Sequence, residues 1–262
     1  MNIFILTDLE GISGVTSIEQ MECGTEGYER ACRCLEHSLN VCAEAAKDAG
    51  ADNIYYLDGH GGGGNIDPGN IVNFCKKVDI VGWQELVMSG RIDCQIELGA
   101  HARAGTLGGF LDHTLTSRAW FSYKIGDREF GELGIHAAFL GLYDVPVVMV
   151  SGDEAACSQA KEYVDEVITA PVKIATERNV AKDYENPDVI IREAVKTALS
   201  KYKEIKPLKL ELPTEITLTL YRTDMCEQIL QDTKFKLERL DARTIRKRVT
   251  DENLKTYSDF KF

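Results

Sequence analysis

The sequence predicts an α/β fold, a largely parallel sheet flanked by helices, followed by a smaller C-terminal α+β part. Three observations carry that reading. Residues 2–8 are apolar on both faces, as in a central parallel strand covered from two sides. Strand-like and helix-like stretches then alternate as far as Pro171, the rhythm of a sheet built from strand–helix–strand units. Beyond Pro171 the rhythm changes to one long helix, a linker containing Lys and Pro, and short alternating runs.

The elements follow in order. Tyr28, Cys32, Leu35, Leu39, Cys42 and Ala46 recur every three or four residues, which predicts a helix ending at Gly50. A second strand, Asn53 to Asp58, leads into Gly59-His60-Gly61-Gly62-Gly63-Gly64. Apolar stretches at 78–82 and 94–99 read as further strands, and a glycine-rich loop follows. Trp120 to Ile125 opens a hairpin that turns at Gly126-Asp127. Glu132 to Tyr143 reads as a helix, Val145 to Ser151 as a buried strand, and Asp153 to Val164 as an amphipathic helix. A helix near 186–203, a strand at 215–222 and an alternating run from Phe235 to about Val249 complete the chain. This divides it into an α/β domain over 1–171 and a smaller α+β subdomain over 172–262. The basic cluster Arg243-Thr244-Ile245-Arg246-Lys247-Arg248 alternates like an exposed strand.

Composition narrows the function classes. With 44% apolar and 27% charged residues the chain is an ordinary globular one, and 262 residues bury a full core. A net charge of −12 argues against nucleic acid, whose phosphates need surplus Lys and Arg. The start lacks a basic n-region, and no stretch reaches the roughly 18–20 apolar residues of a membrane span. Eight cysteines without a CxxC pair therefore read as mostly buried free thiols in a cytoplasmic protein.

Chemistry concentrates at predicted strand ends, where open α/β sheets bind ligands. Asp8 and Glu10, two apart after the first strand, point the same way, and a cation is the simplest remedy for their repulsion. For the pair alone, a merely acidic turn is the preferred reading. His60 and His101 each follow a later strand, and His113 lies beside small residues. Repeated placement of this kind sets a shared site beside the reading of structural histidines. Imidazole mixed with carboxylate favours zinc, and paired zinc ions are a common hydrolytic arrangement. Asp8, first in the pair, is the natural bridge. Glu132 and His136, four apart, share a helix face; on pattern alone Glu132 reads as a helix-initiating acid and His136 as exposed. The run from Gly59 to Gly64 also fits the dinucleotide pattern G-x-G-x-x-G, with Asp79 twenty residues beyond Gly59. That pattern needs a helix at its last glycine, and here Asn65-Ile66-Asp67-Pro68-Gly69 intervenes, so any helix starts late with Asp67 as cap.

At these residues the chain resembles the D-aminopeptidase (DppA-like) family of dizinc metallopeptidases. The resemblance rests on Asp8-Leu9-Glu10-Gly11-Ile12-Ser13-Gly14, Asp58-Gly59-His60, Gly99-Ala100-His101-Ala102-Arg103-Ala104 and Gly131-Glu132-Leu133-Gly134. Tyr143-Asp144-Val145-Pro146-Val147 followed by Gly152-Asp153 extends it, so it covers most of the first 165 residues. It implies Asp8, Glu10, His60, His101 and Glu132 as ligands of two zinc ions per subunit, and His113 as catalytic acid/base or oxyanion donor. It implies an aminopeptidase releasing a D-residue from short peptides or amides, and a homo-oligomer that forms a decameric ring. Leu6 and Gly59 stand where the family has serines, and the segment between His101 and His113 is one residue longer. Those lost hydroxyls leave open a metal-dependent amidohydrolase of other specificity, and the glycine run a nucleotide-binding α/β protein.

Overall fold

In a computed structural model, which describes residues 1–231 and 236–262, two sheets share the chain. The first holds seven strands. β1 (Asn2–Thr7) leads through α1 (Glu26–Asp48) to β2 (Asn53–Asp58), β3 (Cys75–Lys77), α2 (Ile80–Met88) and β4 (Cys94–Ala100). A hairpin of β5 (Trp120–Ile125) and β6 (Arg128–Glu129) interrupts before α3 (Glu132–Leu142). β7 (Val147–Asp153), α4 (Glu154–Tyr163), β8 (Ile168–Glu177) and β9 (Val180–Asp183) complete this sheet, and α5 (Pro187–Lys201) follows. The strand order is β3-β2-β1-β4-β7-β8-β9, parallel throughout except for the last pair. The five-stranded second sheet, order β11-β12-β10-β5-β6, is antiparallel and takes in β10 (Thr214–Leu220), β11 (Leu237–Arg239) and β12 (Thr244–Val249). A short helix α6 (Thr223–Ile229) follows β10.

The central strands are apolar because both faces are covered. β4 and β7 are buried at every position, and β1 at all but its first. Helix α1 starts where the Thr25 side chain accepts the Tyr28 N–H at 3.1 Å, and Gly50 follows its end in the left-handed region at φ 91°. On another helix pair, Trp83 of α2 meets Phe139 of α3 edge-on, with ring centroids 5.0 Å apart.

Two expectations change. The 78–82 stretch is not a strand: β3 ends at Lys77, and the Asp79 side chain accepts the Gly82 N–H at 2.7 Å to open α2. A short apolar run fits either structure, and the cap decides it. The basic cluster forms β12 between β11 and β10, with Ile245 and Lys247 buried and Arg246 ion-paired to Glu215 and Glu238. It is therefore an interior strand with one covered face. The two sheets also exchange strands across residue 171: β8 runs through it, and the β5–β6 hairpin joins the C-terminal strands. Phe235, the expected start of the last run, lies outside the described residues.

Candidate metal centre

Backbone contact between β1 and β4 builds the floor of the site. The Asp8 N–H donates to the Leu98 carbonyl and the Gly11 N–H to the Gly99 carbonyl, each at 2.8 Å. A Cβ on Gly11 would overlap the Ala100 carbonyl, and one on Gly99 (φ 86°) the Asp8 carbonyl. Glycine is required there because two loops bearing polar side chains pass in direct contact. Lys173, buried on β8, donates to the carbonyls of Glu10, Ile12 and Val15 and holds the loop beyond Glu10.

Two further loops bring the histidines in. Asp58, buried at the end of β2, accepts the Asn65 N–H at 2.7 Å and the Asn65 side-chain amide at 2.8 Å. Asn65 in turn donates to the His60 carbonyl at 2.7 Å. Gly61 to Gly64 all have positive φ, so the run folds back onto Asp58. The next helical turn is only Pro68–Asn70, capped by Asp67, and the helix that a dinucleotide fingerprint needs at its last glycine does not form. The second loop is held by Asp153, which caps α4 and accepts the Phe110 N–H at 2.6 Å. Leu111 and Leu115 flank His113 at φ 51° and 56°, uncommon values for bulky residues that fix where it points.

All six residues singled out from the sequence converge. His60 Nδ1 lies 3.0 Å from Glu10 Oε2 and 3.3 Å from Asp8 Oδ1. His101 Nε2 lies 3.3 Å from Asp8 Oδ2 and 3.2 Å from Glu132 Oε1, and His113 Nε2 is 3.6 Å from the same Glu132 oxygen. Two donor groups result, Asp8–Glu10–His60 and His101–His113–Glu132, with ligand atoms within 4.8 Å of one another in each. A tetrahedral zinc with bonds of about 2.0–2.1 Å sets neighbouring donors roughly 3.3–3.4 Å apart, so the spacing suits such an ion. The imidazoles are aimed from behind. His101 Nδ1 is 3.0 Å from the Ala102 carbonyl and His113 Nδ1 2.9 Å from that of Leu111, which keeps protons there and turns each Nε2 to the site. Their rings stack with centroids 3.9 Å apart.

The electrostatics describe a pocket built for positive charge. Burial works against a charged His101, yet Glu132, Asp8 and Glu10 together raise its pKa well above the ordinary value. Burial likewise opposes a charged His60, and its bonds to Asp8 and Glu10 push its pKa up to about 11. Glu132 is held down to about 2 although burial raises it, because His101 bonds to it. Protonated imidazoles here do what a metal cation would do.

The model of the D-aminopeptidase family matches residues 1–258. The chain belongs to this family. The D-aminopeptidase of Bacillus subtilis (strain 168) is 31% identical over 216 residues, covering 79% of this chain and 77% of the relative. The solved structure of the zinc-dependent D-aminopeptidase DppA from Bacillus subtilis, described as a self-compartmentalizing protease, superposes with a TM-score of 0.90 at 25% identity. It covers 99% of this chain and 95% of that one.

For this D-aminopeptidase family member, Glu132 is not simply a helix starter. It opens α3, accepts the Leu115 N–H at 2.7 Å and faces the histidines. His136, expected to be exposed, is buried one turn on, with Nδ1 3.3 Å from Glu97 Oε2 and Nε2 3.2 Å from the Tyr257 hydroxyl. Sequence reasoning missed Glu97 and Tyr257 entirely. Glu97 sits in an apolar strand, where a carboxylate needs paired donors, and that oddity was the available signal.

Proposed function

We propose that the chain is a dizinc aminopeptidase that releases an N-terminal D-residue from short peptides or amides. One observation carries the reading: Asp8 presents one oxygen to His60 and the other to His101, so a single carboxylate joins both donor groups. Asp8, Glu10 and His60 would hold one zinc, and His101 and Glu132 the other, with Asp8 shared. The chemistry that zinc supplies when bound is Lewis acidity, which lowers the pKa of water from 15.7 towards about 7.

The chain's own residues do the rest. Glu132 stays ionised through its contacts with His101 and the Leu115 N–H, as a ligand must. His113 carries its proton on Nδ1 against the Leu111 carbonyl. Its Nε2 thereby faces the site as an acceptor. Once it has taken a proton from the attacking water, it can pass that proton to the leaving amine or donate a hydrogen bond to the carbonyl oxygen as that becomes negative. A cavity of about 1450 Å³ lies over these groups and accepts a short peptide. The preference for a D-residue is supported by family membership.

Self-association into a ring, decameric in the family resemblance, belongs to the same reading and is supported by the relative's self-compartmentalizing description. A cytoplasmic location is supported by eight unpaired thiols, five of them buried. Among the described residues, no helix is long and apolar enough to cross a membrane. The test is elemental analysis of chelator-free protein under saturating zinc, with about two ions per subunit expected. A screen of D- and L-aminoacyl amides and peptides accompanies it. One ion or none, or no amide hydrolysed, overturns the reading.

A further inference from the structure

The cavity over the metal centre is lined by cations as well as carboxylates: Lys77, Arg118, Arg178 and Lys261. Arg178 is committed to Asp112, with Nε 2.9 Å from Oδ1. Arg118 and Lys261 have no ion-pair partner among the described residues. Lys261 is the more telling, because it is partly buried and burial lowers its pKa below the usual lysine value, against the pull of Glu132. A partly desolvated ammonium without a counter-ion is costly, and a bound anion that supplies one offsets that cost.

Its position is built. The ammonium stands 4.3 Å from the centroid of the Tyr257 ring. That ring is buried, its hydroxyl is held by His136 against Glu97, and its backbone N–H donates to Gln84 at 3.0 Å. The second sheet fixes the segment itself: Tyr123 of β5 donates to the Phe260 carbonyl at 2.7 Å, and buried Lys247 of β12 donates to the carbonyls of Asp259 and Lys261. Trp120 meets Phe262 with ring centroids 6.3 Å apart, which brings the Arg118 end of β5 beside the same segment.

We propose that Lys261, with Arg118, forms a subsite that binds a carboxylate on the substrate's leaving portion, so that the site selects di- and tripeptides with a free carboxylate. The inference rests on the peptidase reading, with the amino terminus at the metal centre and the carboxylate at Lys261. Charge-assisted hydrogen bonds then join the carboxylate to a cation already paid for in desolvation.

The test measures binding by calorimetry to the zinc-loaded full chain carrying His113→Ala, which slows turnover. The probes are D-alanyl-glycine, D-alanyl-glycinamide and the α-amide of D-alanyl-L-aspartate. The dipeptide is expected to bind about 10- to 100-fold tighter than the glycinamide, the worth of one or two charged hydrogen bonds. Adding Lys261→Gln and Arg118→Gln should bring that ratio to within about twofold, while Lys261→Arg should retain most of it. Equal binding in the parent, an unchanged ratio in the double variant, or no binding of the dipeptide overturns the subsite. Tight binding of the aspartyl amide supports it, with a side chain as the carboxylate's source. Hydrolysis by the unsubstituted chain is scored separately, and failure there counts against the peptidase reading.

Discussion

Asp8 and Glu10 stand two residues apart in one anionic pocket, yet their acidities move in opposite directions. Burial and the charge of Glu10 raise the Asp8 pKa. Burial also works to raise that of Glu10, but the hydrogen bond and charge of His60 outweigh it and hold it well below the usual range. Asp8 thus has most to gain from a second cation, as expected of the shared ligand. Asp8→Ala should lose both zinc ions by elemental analysis, and retention of one would make Asp8 a terminal ligand. His113→Ala should keep both ions and near-normal substrate affinity while turnover falls about 10²–10⁴-fold. Loss of an ion would instead make His113 a ligand, as its place in the His101–Glu132 group allows. Two of the departures from the family pattern, Leu6 and Gly59, turn out to be neighbours. A Cβ at Gly59 would sit 2.7 Å from the Thr7 carbonyl oxygen and 3.1 Å from a Leu6 methyl. Gly59→Ser should therefore lower stability by about 1–3 kcal/mol in chemical unfolding. Leu6→Ser costs stability of its own as a core truncation, but in that background the added cost of Gly59→Ser should be smaller than in the parent. Strict additivity would mean the positions are independent.

At the scale of elements, α3 shows what a pattern leaves undecided. Glu132 and His136 share a face by spacing, which is compatible with a metal pair, a capping acid or a buried network. The structure places Glu132 against His101 and His113, and His136 against Glu97 and Tyr257, because α3 lies between β4 and the C-terminal segment. Glu132→Gln should weaken zinc binding markedly, since a neutral amide is a poor substitute for carboxylate. A change confined to a few tenths of a kcal/mol of stability would return Glu132 to a helix-starting role. The long elements were legible because their periodicity reports burial directly: α1, β2, β4 and α4 lie within a residue or two of where the sequence puts them. The 78–82 stretch was not legible, because Val78, Ile80 and Val81 fit a strand as well as the first turn of α2.

The whole molecule carries −12 and concentrates carboxylates around its histidines, so protons would compete with zinc for the proposed site. In the metal-free protein His60 has a folded pKa raised to about 11 from 6.5. The stability this provides is fully present below about pH 6.5 and is lost as pH rises towards 11. Zinc requires the neutral imidazole, so its advantage grows over the same window. At fixed free zinc, the rise in Tm on adding the metal should be larger at pH 8 than at pH 6. Equal rises at both would mean that zinc does not displace these protons.

Sequence by itself determined the parallel sheet, the order of its main elements and the strand-end residues Asp8, Glu10, His60 and His101, because burial periodicity and strand-end placement are local signals. Glu132 and His113 were reached through the family resemblance. It also determined that Gly11 and Gly99 belong to the motifs, although not why. Only the tertiary structure decided the rest. Sheet pairing over long separations carries the β5–β6 hairpin into the C-terminal sheet and makes the basic cluster an interior strand. The same packing brings Lys261 from the end of the described chain over Tyr257 and into the cavity of residues drawn from β1, β2 and α3. No local pattern encodes such a contact: its energy comes from groups more than a hundred residues apart, such as the Tyr123 hydroxyl on the Phe260 carbonyl, 137 positions away.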